Sequence, residues 1–248
     1  MDAYTGFAYV YDEYMDNIPY EEWGQYLMQL LKEQGVPQDG TVADLGCGTG
    51  TVTRMLDKSG YDCIGIDMSE DMLSIASEKM YEAEQQIIYT KQDMRDFALP
   101  YQVNACVSIG DSMNYITSPE DLHSVFSCVY DSLVTGGVFI FDLKTIHFFK
   151  DVLADNTYAQ NRDNSAFIWD NTYEEETRNN IYDLAVFVEN EDGTFDRFEE
   201  NHFQHGFYQE EVTNAAEKAG LKLVNVYDAF GHEAPSGDSE RLYYIFKK

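Results

Sequence analysis

Three glycines in "VADLGCGTG", namely Gly46, Gly48 and Gly50, follow a short apolar run that carries the acid Asp44. Glycines let a ligand approach the backbone, and such a loop opening a helix suits one carboxylate. The spacing is G-x-G-x-G, with Thr51 where the last glycine of a dinucleotide G-x-G-x-x-G would fall. Asp44 beside two phosphates would cost electrostatic energy. The loop, Cys47 included, therefore suits a smaller anion with a cation nearby, as in an amino acid joined to a sulfonium. Asp67 ends "YDCIGID", 21 residues after Gly46. An acid at that place accepts two hydrogen bonds from a ribose diol, with Met68 beside it. Asp93 in "QDMRDF" is placed to accept from an adenine amino group, and the Met94 N–H to donate to the ring. "GDSMNYI", with Gly110 and Asp111, would line the ligand's other side. His202 is the first candidate for a general base and His147 the second. No Cys/His, Ser/His/Asp or metal-ligand constellation is present in the pattern of the chain.

These residues need strand ends to hold them. "TVADLG", "YDCIGID", "IIYTKQD", "NACVSIG" and "VFIFDL" read as buried strands. Helices fall between them. Ser69 caps one whose first turn carries Glu70 and Asp71, and Ser118-Pro119 opens another. A further helix, "EEWGQYLMQLLKEQG", precedes the first strand, with Gly35 at its end. Alternating strand and helix predict an α/β fold: a doubly wound, Rossmann-like parallel sheet that binds its ligand at the strands' carboxyl ends. After about residue 150 the pattern changes. "AFIWDNTYE", "IYDLAVFVE" and "TFDRFEENHFQHGF" read as consecutive antiparallel strands, with "RNN" and "NEDG" as turns. Residues 151–205 are expected to form a small antiparallel insertion that serves as a substrate lid, and 1–150 with 206–248 the main domain. In "IYDLAVFVE", Tyr182, Leu184, Val186 and Val188 share one face and Asp183 and Glu189 the other.

Sixteen basic residues against 45 acidic ones leave a net charge of −29. Such a surface repels phosphate backbones and anionic lipid, and admits a neutral or cationic small molecule more easily. No nucleic-acid or membrane partner is expected. The opening "MDAYTGFAYVYDEYMD" lacks the basic and apolar regions of a signal peptide. Cys47, Cys63, Cys106 and Cys128 form no CxxC pair and read as reduced thiols of a cytoplasmic protein.

With these motifs the sequence resembles the class I S-adenosylmethionine-dependent methyltransferases. "VADLGCGTG" looks like their first motif and "IGIDMSEDML" like their ribose-binding segment. "QDMRDF" and "GDSMNYITSPEDL" resemble the adenine-side segment and the one after the fourth strand. The likeness extends to the YqeM-like methyltransferases of bacteria through "GFAYVYDEYMD…PYEEW", "DRFEENH" and "PSGDSERLYY". One departure is His205, where that pattern leads us to expect an arginine. The resemblance implies S-adenosyl-L-methionine as cofactor, a small-molecule acceptor, and N-terminal tyrosines, here Tyr4 and Tyr11, closing over the cofactor. Two alternatives remain at this point: a non-catalytic S-adenosylmethionine-binding protein, and an NAD-dependent oxidoreductase on a similar sheet.

Overall fold

The computed structural model describes Asp12, Tyr14 and residues 19–248. A central sheet of seven strands has the order β10-β11-β5-β4-β1-β2-β3. Its strands are β1 (Thr41–Leu45), β2 (Asp62–Asp67), β3 (Ile88–Lys91), β4 (Val103–Ser108), β5 (Leu133–Lys144), β10 (Lys222–Asp228) and β11 (Arg241–Lys247). Helices packed with it include α1 (Tyr20–Glu33), α2 (Thr51–Lys58), α3 (Glu70–Glu82), α4 (Pro119–Ser132) and α5 (Gln209–Lys218). The expected caps form: Ser69 Oγ accepts from the Met72 N–H at 3.3 Å, and Ser118 Oγ from the Asp121 N–H at 3.1 Å.

Period-2 alternation builds two cores from the same strands. Ala43, Leu45, Ile64, Ile66, Phe139, Phe141, Tyr244 and Phe246 pack on one face with Val125 and Phe126 of α4 and Val212 of α5. Their neighbours Val42, Cys63, Val138, Ile140, Tyr243 and Ile245 pack on the other with Leu27, Leu30 and Leu31 of α1 and Leu56 of α2. Helices thus cover both faces, as a mainly parallel sheet requires. Phe126, Phe139, Phe141, Tyr244 and Phe246 form the aromatic centre of the first core, with Phe141 stacked on Tyr244 at 5.1 Å.

Strands β1 to β5 pair in parallel, but β11 runs antiparallel to both β5 and β10. The sheet is therefore mixed where the sequence pattern suggested a parallel one. The link from β10 to β11 holds no helix, and a parallel neighbour needs a crossover.

A second sheet has the order β6-β7-β8-β9 and is antiparallel throughout. Its strands are β6 (Asn156–Asn161), β7 (Ser165–Glu174), β8 (Asn179–Glu189) and β9 (Phe195–His205). In β8, Tyr182 and Val186 are buried and Asp183 and Glu189 exposed, as the alternation predicts. The edge strand β6, "NTYAQN", was not expected. It is polar and almost wholly exposed, so it shows no alternation. No helix among the described residues is long and apolar enough to cross a membrane.

Phe141 is fully buried and touches four other aromatic rings. Phe141→Ala is expected to destabilise the fold by about 3–5 kcal/mol, read as a lower denaturant midpoint with unchanged slope. A loss below about 1 kcal/mol would show that this core can collapse around the gap.

Candidate active site

β1 ends in the glycine loop, and the loop turns on β2: the Gly46 and Cys47 N–H groups both donate to the Ile66 carbonyl, at 2.8 and 3.0 Å. Gly46 has φ +72°, and a Cβ there would lie 2.6 Å from the Ser112 side chain. Gly48 has φ +54°, and a Cβ there would meet nothing within 4 Å, so its surface is open to a ligand. α2 follows without a side-chain cap, which leaves its first-turn N–H groups to other acceptors.

The Gly48 N–H donates to Asp67 Oδ2 at 2.8 Å, and the Ser69 N–H to Asp67 Oδ1 at 2.9 Å. Backbone bonds thus aim the carboxylate at the cavity that it lines. Burial pushes the Asp67 pKa up, partly offset by these N–H donors. Loop, strand ends and the segment after β4 surround a cavity of about 770 Å³. Of the residues anticipated from the sequence, Asp44, Gly46, Cys47, Gly48, Asp67, Met68, Met94 and Gly110 line it. Tyr20, Ser112 and Tyr115 line it as well without having been singled out. Tyr115 lies within the quoted "GDSMNYI", and its place in a loop after a strand was the available signal.

Asp44 is 2% exposed beneath the loop and accepts from Thr53 Oγ1 at 2.6 Å. Burial, and to a lesser degree Asp67, push its pKa up to about 7. The structure thus places at this position an acid that a bound cation would return to its charged form.

Other anticipated residues stand elsewhere. Asp93 does not line the cavity; its carboxylate accepts from its own turn, the Arg95 N–H at 2.9 Å, and from Arg95 Nη2 at 2.6 Å. Those Arg95 hydrogen bonds lower its pKa. Asp111 does not line it either. It adopts φ 59° and pairs with Lys144 Nζ at 2.9 Å and Arg241 Nη2 at 3.2 Å. Burial works against its charge, but the two cations hold the pKa below the usual range. His147 faces Asp151 at 2.9 Å, outside the cavity lining. His202 is buried on β9 outside the cavity lining, with Nδ1 3.1 Å from the Oη of Tyr115, which does line it. His205 faces Asn179 Oδ1 at 2.8 Å, and burial, then Arg178, lower its pKa. Tyr4 and Tyr11 lie outside the described residues.

Three contacts join β9 to the segment after β4. Tyr115 meets His202, Gln204 Nε2 donates to Asp111 Oδ2 at 2.8 Å, and Asn114 Nδ2 donates to the His205 carbonyl at 2.9 Å. The antiparallel sheet is thereby fastened beside the cavity wall.

The chain can be placed among known proteins. Residues 42–137 match a family model described as a methyltransferase domain. The Bacillus subtilis (strain 168) protein YqeM, a methyltransferase by name, is 34% identical over 246 residues, covering 99% of this chain and 97% of that one. The chain belongs to the YqeM-like, S-adenosylmethionine-dependent methyltransferases. A solved S-adenosylmethionine-dependent methyltransferase from Clostridium acetobutylicum superposes with TM-score 0.87 at 25% identity, covering 99% of both chains. An N,N-dimethyltransferase of Streptomyces venezuelae, named for a dTDP-linked 3-amino sugar, is 32% identical over 110 residues, 44% of this chain and 45% of its own.

Asp44 carries a pH prediction for this methyltransferase. Its folded pKa of about 7 lies above the unfolded value of about 3.9. Its folded form therefore holds the extra proton, and stability falls as pH rises from about 4 to 7 and is flat above. Asp44→Asn should remove that fall and gain, at pH 8 relative to pH 4, of the order of 2–4 kcal/mol over the wild type. Denaturant titrations of both proteins at several pH values check this. Parallel curves would place the Asp44 pKa near the ordinary carboxylate value.

Proposed function

We propose that the cavity binds S-adenosyl-L-methionine and that the enzyme transfers the cofactor's methyl group to a small-molecule acceptor. The observation that carries this reading is the Gly48 N–H bond to Asp67, which ties the open glycine loop to an aimed carboxylate on one wall of the cavity. Gly46, Cys47 and Gly48, with Asp44 beneath them, would hold the methionyl part. Asp67 would take the ribose hydroxyls, and Met68 and Met94 would flank the adenine. Gly110 would line the far side. For Asp111 the pairing with Lys144 and Arg241 supports a different task, fixing the loop that follows β4.

When bound, the cofactor supplies an electrophilic methyl carbon on a sulfonium. The protein's part is to place a nucleophile in line with it and to keep water out. Residues 151–205 would act as the lid, since β9 is fastened to Asp111, Asn114 and Tyr115 at the edge of the cavity. The net charge of −29 favours a neutral or cationic acceptor over an anion.

S-adenosylhomocysteine should bind with micromolar affinity, about −8 kcal/mol, and NAD should not bind. Calorimetry with both ligands tests this, and NAD binding without S-adenosylhomocysteine binding would overturn the reading. Asp67→Ala should weaken S-adenosylhomocysteine about ten- to a hundredfold, or roughly 1.5–3 kcal/mol, with an unchanged circular-dichroism spectrum. An unaltered dissociation constant would leave Asp67 no part in ribose binding. Formation of S-adenosylhomocysteine from the cofactor in the presence of an acceptor separates an enzyme from a sensor.

A further inference from the structure

Two ionisable side chains, Glu200 and His202, are each only 4% exposed on β9. They are two residues apart and so share a face of the strand. His202 Nε2 lies 3.2 Å from Glu200 Oε2, and its other nitrogen, Nδ1, lies 3.1 Å from Tyr115 Oη. The Tyr115 and His202 rings meet edge to face at 5.9 Å. Tyr115, at the end of the short 3₁₀ turn Ser112–Tyr115, belongs to the wall of the 770 Å³ cavity. A carboxylate, an imidazole and a phenol therefore follow one another, and the residue that carries the phenol lines the cavity.

We propose that Tyr115, His202 and Glu200 form a proton path that strips an amine acceptor of its proton as it is methylated. This rests on the methyltransferase reading of the cavity. A carboxylate beside Nε2 favours the tautomer with hydrogen on Nε2 and leaves Nδ1 bare. Nδ1 then accepts the phenolic hydrogen, and the Tyr115 oxygen can accept one from a donor in the cavity. In the reaction the nucleophile's proton passes to the Tyr115 oxygen while the phenolic proton passes to Nδ1. The nitrogen lone pair so released bonds to the methyl carbon. The carbon–sulfur bond breaks with its electron pair remaining on sulfur, which becomes a thioether. The imidazolium is held against Glu200 and returns its extra proton to water after product release. Tyr115 is the catalytic residue; His202 and Glu200 are positioning residues that act through it.

The path also speaks to the acceptor's class. A carboxylate or thiolate arrives without a proton to lose and would have no use for it. An aliphatic amine is protonated at neutral pH. Its positive charge suits a chain of net charge −29. A relative named for an amino sugar is consistent with that class.

The test combines a spectroscopic and a kinetic measurement. In protein labelled with ¹⁵N-histidine, the signals lost in His202→Gln identify His202 among the five histidines. The wild type should show hydrogen on Nε2 and a bare Nδ1. Tyr115→Phe should move the Nδ1 resonance, and Glu200→Gln should raise the Nδ1–H population. Hydrogen on Nδ1 in the wild type, or an Nδ1 resonance unmoved by Tyr115→Phe, would overturn the path. Methyl transfer is then followed with ethanolamine, tyramine and glucosamine as amine probes, catechol as a hydroxyl probe and benzoate as a carboxylate probe. For an amine that the wild type methylates, kcat should fall at least tenfold in Tyr115→Phe and His202→Gln. KM for the cofactor and the dissociation constant of S-adenosylhomocysteine should stay within threefold. Unchanged kcat, or methylation of catechol or benzoate in preference to every amine, would overturn the proposal while S-adenosylhomocysteine still binds. Loss of that binding in the wild type itself would instead overturn the reading of the cavity on which the path rests.

Discussion

Asp142 is fully buried near the end of β5 and accepts hydrogen bonds from the Gly110 and Asp111 N–H groups, so its charge has to be answered inside the protein. Arg241 answers it from the neighbouring strand, two residues along the antiparallel register that sets Tyr243 opposite Asp142 and Arg241 opposite Lys144. The same guanidinium reaches Asp111, which Lys144 also pairs. Burial raises the Asp142 pKa despite Arg241, whereas Asp111, held by two cations, stays below its ordinary value. Removing one member of such a cluster leaves an uncompensated buried charge, which is far costlier than the net worth of the pair. The cluster therefore holds the loop after β4 in its left-handed turn at Asp111 and makes the antiparallel placement of β11 a condition for that loop.

The loop in turn carries three contacts that join the two sheets. Asp111, Asn114 and Tyr115 each hold one residue of "HFQH" on β9, and Asn114 also bonds the backbone of Lys144 on both sides. Each of these polar groups is buried or half-buried, so the bonds fix one docking geometry instead of a range. Elsewhere on the cavity wall, backbone donors link Gly48, Asp67 and Ser69. A site tied at both edges is prepared for its ligand before the ligand arrives.

Much of this was legible in the chain before any coordinates. The alternation of buried strands and capped helices, the glycine loop at the end of β1 and the acid at the end of β2 follow from patterns within single elements. Asp44, Gly46, Cys47, Gly48, Asp67, Met68, Met94 and Gly110 could be named because each sits at a fixed offset from a strand end, and strand ends of one parallel sheet lie along one edge. Asp93 and Asp111 were named by the same logic and do not line the cavity. Their offsets are right, but a carboxylate turns toward the nearest cation, and Arg95, Lys144 and Arg241 decide that direction.

What the sequence by itself determined is what depends on neighbours in the chain: which segments are strands and helices, where they are capped, and where the backbone can be approached. Tertiary structure alone decided the direction of β11, the polar edge strand β6, and every meeting of distant side chains. Arg241 and Asp111 are 130 residues apart, and Tyr115 and His202 are 87 apart. No local periodicity encodes such a pair, because its energy depends on distance in space and on burial, and both exist only after the sheets have packed.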